Sequence, residues 1–517
     1  MPLFSPSQKS FARAIQRAAH ANPFRPERAE AERDALGDAY RPPAMPSFEQ
    51  MDDFRLNPNL APLNAKAEAL IKSIGPQRLQ AAGDSERQLH EDLVLFAIYH
   101  RYAPRFSAII RSALDEGRMG LKLDFYSTFA HDLTVLLGDR VNGLAPAGLD
   151  PAAHTFAAFF QIRRAFHLLF HYLIGSSAPM RMLRASAWES IFTHNMRRYR
   201  RGIFEAMGDI PSLITGPTGS GKELVARAVG MARYIPFDPK TRSFAEDFIA
   251  AFHPINLGAL APTLIESELF GHRRGAFTGA MEDHRGWFEV CPPHGSVFLD
   301  EIGELDIGIQ VKLLRVLQSR LFQRIGDTRP LRFQGKVITA THRDLGGMIR
   351  DGRFREDLYY RLCADQLRTP TLREQLDDAP ADMPAFISFI ARRLVPADEL
   401  PDFTGEVDGW IRRNLPPDYA WSGNFRELEQ CVRNLMIRRQ YRPPVAEAAP
   451  AEPPRRAFAN ETAAGKLNLA ELLSHYCSLV YAECGSYQET ARRLGVDHRT
   501  VKQHLNPELV SNYRNKG

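Results

Sequence analysis

Apolar positions recur at helical spacing through the first third of the chain. Leu93, Leu95, Phe96, Tyr99 and His100 fall close to a 3.6-residue period, and Phe106, Ile109, Ile110 and Leu114 extend it. A second set runs through Phe156, Phe159, Phe160, Ile162, Phe166, Leu169 and Phe170. No alternating strand pattern interrupts them, so residues 46–172 read as an all-helical domain of ordinary size. Its histidines and aromatics are expected to pack as core, because phenylalanine is buried for packing far more often than to line a ligand pocket. Residues 1–45 are polar and proline-dotted, with a charged run from Arg25 to Arg33. They predict mobile chain with room for one short helix.

The pattern then changes to short apolar runs alternating with helical ones, which predicts an α/β core with a parallel sheet. Leu213-Ile214-Thr215 reads as a strand, and Glu223 to Val229 opens a helix. Between them lies Gly216-Pro217-Thr218-Gly219-Ser220-Gly221-Lys222. Glycines there let backbone N–H groups turn toward phosphate oxygens. The helix N-terminus adds a favourable field, and Lys222 brings a point charge to the β/γ phosphates. Glu223 stands where a hydroxyl usually follows the lysine. A second strand, Val297-Phe298-Leu299, delivers Asp300 and Glu301 into a loop. Asp300 is placed to serve magnesium and Glu301 to orient or deprotonate the attacking water; as an ordinary alternative, Glu301 and Glu304 could be first-turn acids of the next helix. A third strand, Lys336 to Thr341, ends beside His342. Arg355 and Arg361 follow six residues apart, able to reach a neighbour's γ-phosphate or simply to face solvent. Between the phosphate loop and the acidic pair lies Gly275-Ala276-Phe277-Thr278-Gly279-Ala280, an aromatic and a hydroxyl at a loop tip flanked by turn-forming glycines.

These motifs together resemble the sigma-54-dependent transcription activators, the bacterial enhancer-binding proteins of the AAA+ ATPase class. The likeness runs from Ile174-Gly175-Ser176 to about Arg439, half the chain, and its most specific part is the intact GAFTGA string. The GKE form of the phosphate loop, the Phe298–Leu305 stretch, FREDLYYRL and Trp421–Leu428 accompany it. The resemblance implies an AAA+ core with a helical lid over residues 173–439, flanked by an all-helical N-terminal regulatory domain. It implies ATP and Mg2+ as cofactors and a homo-oligomeric ring, hexameric in the family. It implies that residues 216–223 bind phosphate, Ile174 lies on the adenine side, and Arg426 senses nucleotide from the lid. Asn256 matches the asparagine that gates the catalytic Glu301, Asp300 holds the metal, and Arg355 and Arg361 are fingers acting in trans. Gly275, Ala276, Phe277, Thr278, Gly279 and Ala280 would touch sigma-54. The chain departs from the family in four places: His342 stands where an asparagine is usual, the stretch between Gly230 and His253 is longer, Thr369-Pro370-Thr371 replaces a more proline-rich stretch, and the helical segment Met180–Met207 is longer.

Residues 440–462, rich in Pro, Ala and charge, read as a linker. Beyond it, Leu469, Leu472, Leu473, Tyr476 and Val480 make an apolar helix face, Ser486 with Glu489 a capping box, Gly495 a turn and Asp497 a cap. Residues 463–517 thus predict a small helix-turn-helix domain whose last helix carries His498, Arg499, Thr500, Lys502 and Gln503 toward double-stranded DNA. It resembles the Fis-like domain that ends many of these activators.

Bulk properties agree with this reading without adding to it. The chain has 517 residues and a net charge of +5, small for its length. Five cysteines without metal or redox spacing suit a reduced cytosol. No secretory signal or uncharged spanning segment is visible, so a cytoplasmic protein with no membrane partner is expected. The sequence reads as an activator that binds upstream DNA and spends ATP to remodel the sigma-54 RNA polymerase closed complex. Two alternatives stay open: a DNA-binding protein whose nucleotide only switches assembly, and an AAA+ remodeller of another target.

Overall fold

The computed structural model describes residues 2–42, 57–119, 122–443 and 454–514, apart from 464 and 466. It divides into two compact units, Met1–Arg439 and Gln440–Gly517.

The helical part of the first unit is built from long, well-delimited helices. Asp84–Glu116 runs 33 residues and stops at Gly117, whose φ of 70° lies in the left-handed region that favours glycine. Pro151–Tyr172 starts on an Asp150 cap that accepts from the Ala153 N–H, with proline in the first turn. This second helix is buried on nearly every side, Arg163 and Arg164 included. Arg164 donates to the Arg233 carbonyl and lies over the rings of Phe160 and Phe248, 5.2 and 4.9 Å from their centroids. Burial pulls its pKa down to about 9.

The expectation of mobile chain over residues 1–45 is corrected. Pro6–His20 and Pro26–Leu36 are both helices, and the first carries a complete capping box from Ser5 and Gln8. Leu3, Phe4, Phe11 and Ile15 are buried in the main core. Phe11 and Ile15 are one helical turn apart, but the proline and charges around them obscured the pattern. The start of the expected 46–172 domain, through residue 56, lies outside the described residues.

The α/β core holds a five-stranded parallel sheet. Its strands are β1 (Ser212–Thr215), β4 (Phe252–Asn256), β5 (Ser296–Asp300), β8 (Lys336–Thr341) and β9 (Asp365–Arg368), in the order β4-β5-β8-β1-β9. Two small antiparallel pairs complete the strands: β2 (Phe237–Asp238) with β3 (Ser243–Phe244), and β6 (Leu321–Phe322) with β7 (Leu331–Arg332). Pairing is in register so that Asn256 lies beside Asp300. β1 sits between β8 and β9, which places the phosphate loop at the carboxyl edge of the sheet, where ligands bind in open α/β folds.

The stretch between Gly230 and His253 has a structural task. Its β2–β3 hairpin carries Phe237 and Phe244 into the helical region, where they meet Phe156 and Phe160 at 4.6 and 4.5 Å between centroids. Asp247 accepts from the Met119 N–H at 2.8 Å. The result is one core containing both Phe156 and the sheet residues Ile214, Phe298 and Ile338. The boundary expected at 172/173 coincides with a helix end but divides no core.

In the second unit, the linker expected over 440–462 is shortened: residues 444–453 lie outside the described residues, and Pro454–Ala463 is helical. Leu469–Cys484, Tyr487–Leu494, His498–His504 and Pro507–Arg514 follow. The expected apolar face is only partly inward: Val480 is buried with Cys477, while Leu469 and Tyr476 are exposed. Ser486 makes no side-chain cap, contrary to expectation, whereas Asp497 accepts from the Arg499 N–H. The helix His498–His504 is not the last, being followed by Pro507–Arg514.

Candidate functional site

β1 ends at Thr215, and the loop Gly216–Gly221 leads straight into the helix Lys222–Gly230. The loop closes on itself and on the lid. Gly219 and Gly221 have φ of 77° and 89°. A side chain on Gly219 would also come within 2.3 Å of the Gly423 carbonyl, so glycine is required there twice over. Lys222 folds back, donating to the carbonyls of Gly216 and Pro217 at 3.0 and 3.1 Å. Ser220 Oγ donates to the Pro217 carbonyl at 2.7 Å and lies 2.6 Å from Thr369 Oγ1. Glu223 points away, exposed and paired with Arg227.

The lid reaches the same loop. Asn424 donates to the Thr218 carbonyl at 3.0 Å, and the Phe425 N–H to the Gly219 carbonyl at 3.0 Å. Arg426 follows, its Cβ and Cγ packed over Gly219. Asn424, within the Trp421–Leu428 stretch, and Thr369, within the departing Thr369–Thr371 stretch, were not expected at the phosphate loop. The signal for the first was a polar residue at a helix start; for the second only strand register carries Thr369 to Gly216. On the opposite flank Ile174 is buried between Leu173 and Gly175, whose carbonyls accept from Arg184 at 2.7 and 2.9 Å.

β5 delivers Asp300 and Glu301 facing Lys222. Burial raises the Asp300 pKa, the Glu301 charge adds to it, and the Lys222 charge opposes it. Burial lowers the Lys222 pKa, opposed by those two carboxylates. Glu301 holds a left-handed backbone, φ 58° and ψ 52°. Such a conformation costs a non-glycine residue about 1–2 kcal/mol, and strain of this kind gathers at working sites. His342 fixes its carboxylate: Nδ1 lies 2.7 Å from Glu301 Oε2. Asn256, expected to gate Glu301, instead turns its Oδ1 to the Ala259 N–H at 3.2 Å. The residue that departs from the family pattern is thus the one in contact with the carboxylate.

Arg355 and Arg361 lie away from this loop. Arg355 precedes the helix Glu356–Leu362 and pairs with Asp357 at 2.7 Å. Arg361 donates twice to the Leu317 carbonyl, at 3.1 and 2.8 Å. Arg361 is exposed and Arg355 half-buried.

The Gly275–Ala280 loop stands on a base of its own. Its base is stapled by reciprocal backbone bonds between His272 and His284, and by bonds from Arg273 N–H to the Ile325 carbonyl and Ile325 N–H to the Gly271 carbonyl. Arg273 also pairs with Asp283 and Asp327. The tip closes through Gly275 N–H to the Ala280 carbonyl at 2.8 Å. Thr278 is exposed, and Phe277 keeps 41% of its surface exposed with its ring edge-on to His272. A large apolar side chain at the tip of a firmly based loop suits a protein contact.

In the second unit His498, Arg499, Lys502 and Gln503 are exposed on their helix, Thr500 is half-buried and Val501 is buried.

The model of the sigma-54 interaction domain matches residues 192–368. That interval holds the phosphate loop, the acidic pair, the projecting loop and both arginines. Residues 192–368 are thus similar to a sigma-54 interaction domain. Curated relatives extend the match. The DNA-binding transcriptional regulator NtrC of Azospirillum brasilense is 39% identical over 241 residues, 46% of this chain and 46% of its own length. The anaerobic nitric oxide reductase transcription regulator NorR of Escherichia coli O7:K1 is 38% identical over 51% of this chain and 49% of its own length. The Nif-specific regulatory protein of Azotobacter vinelandii is 40% identical over 44% of this chain and 39% of its own length. The chain spans about half the length of the curated relatives it matches, or less.

Proposed function

We propose that this chain is an ATP-driven, sigma-54-dependent transcription activator. The observation that carries the reading is the separation of two sites within one sigma-54 interaction domain. A phosphate loop faces a strained, histidine-held glutamate, and an aromatic-tipped loop stands outside that site on its own stapled base.

ATP would sit with its adenine near Ile174 and its phosphates on Gly216–Lys222, under Arg426 of the lid. The folded-back Lys222 would exchange its two carbonyls for phosphate oxygens. Glu301, oriented by His342, takes the proton from the attacking water. Asp300 fits a magnesium site: it is a half-buried carboxylate whose charge is disfavoured until a cation joins it, and a bound Mg2+ would supply countercharge to the phosphates. Arg355 and Arg361 would serve the site of the next subunit, since each is held on its own subunit by contacts away from the loop. Head-to-tail use of such residues calls for a closed ring, a hexamer by family resemblance. The helices from Leu469 to Arg514 would bind double-stranded DNA, with Arg499 and Lys502 facing it. No helix among the described residues is long and apolar enough to cross a membrane, and a cytoplasmic location follows from this function.

The test is transcription from a sigma-54 promoter with purified components. Thr278→Ala is expected to keep ATP turnover within about twofold while abolishing open-complex formation, because the hydroxyl lies outside the nucleotide site and binding there biases a two-state element. Parallel loss of both activities would place Thr278 in the nucleotide machinery, and retention of both would remove the loop from the coupling role.

A further inference from the structure

Within the helical region lies a cavity of about 540 Å³, well inside the range of small-molecule sites. Phe24, Phe96, Phe159, Phe166 and Trp188 are among its walls. Six arginines line it against two carboxylates, Glu32 and Asp92. Both carboxylates are already engaged: Glu32 accepts from Arg28, Asn57 and Asn59, and Asp92 from Gln16 and Arg197 beside His20. Arg25 and Arg200 pair with Glu189 and Glu91, outside the lining, so the excess of positive charge next to the aromatic faces rests on the remaining arginines.

Arg184 concentrates that excess. It is 1% exposed, lies over Phe24 and Phe170 at 6.0 and 5.3 Å, and its Nε has no hydrogen-bond partner. Its other nitrogens hold the carbonyls of Leu173 and Gly175, on either side of Ile174. A buried cation bound only to neutral carbonyls is costly, and an anionic ligand group would offset that cost.

We infer that this cavity is a binding site for a small aromatic molecule bearing a carboxylate, coupled through Arg184 to the backbone around Ile174. The aromatic walls would stack on the ring, and the arginines would take the carboxylate with charge-assisted bonds. A ligand that repositions Arg184 shifts the Leu173–Gly175 backbone. Binding at the cavity and nucleotide binding then change each other's affinity by the same factor. The coupling half of this inference rests on the proposed nucleotide site; the binding half does not.

The experiment uses the full chain and calorimetry with 1-naphthylacetate, phenylacetate and the neutral 2-(1-naphthyl)ethanol, first without nucleotide. Saturable one-to-one binding is expected, with the naphthyl acid favoured about tenfold over the neutral alcohol, a difference of about 1.4 kcal/mol. Ala158→Phe, which fills the cavity from a small buried wall position, is expected to weaken binding at least about tenfold. Phe166→Ala, which enlarges the cavity instead, is expected to shift preference toward larger acids, and either variant counts only with a wild-type-like melting curve. Absence of saturable binding by every probe would overturn the proposal, as would equal affinity in both variants and wild type. Neutral alcohol binding as tightly as the acid would overturn the anionic assignment. Nucleotide affinity is then measured with and without 1-naphthylacetate. A change of threefold or more supports the coupling, no change overturns it alone, and failure of nucleotide to bind at all would indict the proposed function and leave the cavity result standing.

Discussion

Glu301 and His342 make the sharpest residue-scale case. A left-handed glutamate persists only where its surroundings over-determine it, and the 2.7 Å contact to His342 is one such restraint. Glu301→Gln is expected to keep ATP binding and to lose turnover by at least about a hundredfold, the usual contribution of a positioned general base. Equilibrium binding of a fluorescent ATP analogue beside a phosphate-release assay decides it; full turnover in the variant would remove Glu301 from the chemistry. In the proposed chemistry His342 acts by positioning Glu301, so the size of its effect should follow its hydrogen bond. His342→Asn, which keeps a polar partner for the carboxylate, should stay within about threefold of wild-type kcat, and His342→Ala should fall about tenfold. Both should leave the KM for ATP unmoved; a KM change as large as the kcat change would mean that His342 binds nucleotide. The sequence made Asp300 and Glu301 legible because an apolar strand ends where it delivers them, and Lys222 because a glycine loop joins a strand to a helix there. It could not reveal that Asn256 turns to Ala259 or that His342 turns to Glu301, because side-chain direction at the ends of neighbouring strands depends on register.

At the scale of elements, the projecting loop and strand β8 each make a separate prediction. Gly326 has φ of 77°, and a side chain there would come 2.8 Å from Ala276 Cβ. Gly326→Ala is therefore expected to displace the Gly275–Ala280 loop and impair sigma-54 promoter activation, with ATPase activity near wild type; equal loss of both would show that the loop and the nucleotide site do not separate. In β8, Lys336 is buried and donates to the Ile210 carbonyl at 2.7 Å, and burial pushes its pKa down to about 8 from 10.5. Its folded-state pKa lies below its unfolded value, so the unfolded chain holds its proton more tightly. Stability must then rise with pH between about 8 and 10.5 for this group. Melting temperatures of wild type and Lys336→Met, followed from pH 7.5 to 10, should show the variant's advantage shrinking as pH rises. A constant difference would contradict the linkage. Element type was largely readable from hydrophobic period, since long amphipathic helices and a buried parallel sheet leave different patterns. The two N-terminal helices were not, because Leu3, Phe4, Phe11 and Ile15 are few and lie among prolines and charges.

For the molecule as a whole, the shared core is what the sequence least disclosed. The longer stretch after Gly230 was visible as a departure, but that Phe237 and Phe244 leave the α/β core to stack on Phe156 and Phe160 is a long-range fact. Deleting residues 1–172 would strip these rings and the face of the sheet core of their cover. Such a truncation is expected to aggregate or to melt well below the full chain in a thermal scan, and an undiminished melting temperature would contradict the shared core. The proposed ring rests on Arg355 and Arg361 making their contacts, to Asp357 and the Leu317 carbonyl, away from their own phosphate loop. Either arginine changed to Ala should lose turnover, and mixing that variant with Glu301→Gln should restore part of it; mixtures without any recovery would place the arginines in their own subunit's chemistry.

The central claim is that nucleotide chemistry at Lys222 and Glu301 is felt by sigma-54 at Phe277 and Thr278. The most direct measurement is capture of purified sigma-54 by the full chain in the presence of an ATP hydrolysis transition-state analogue, scored by native gel. The account predicts a stable complex with the analogue, none with ADP, and none for Thr278→Ala although that variant still binds the analogue. A complex that forms without nucleotide, or that survives Thr278→Ala unchanged, would contradict it.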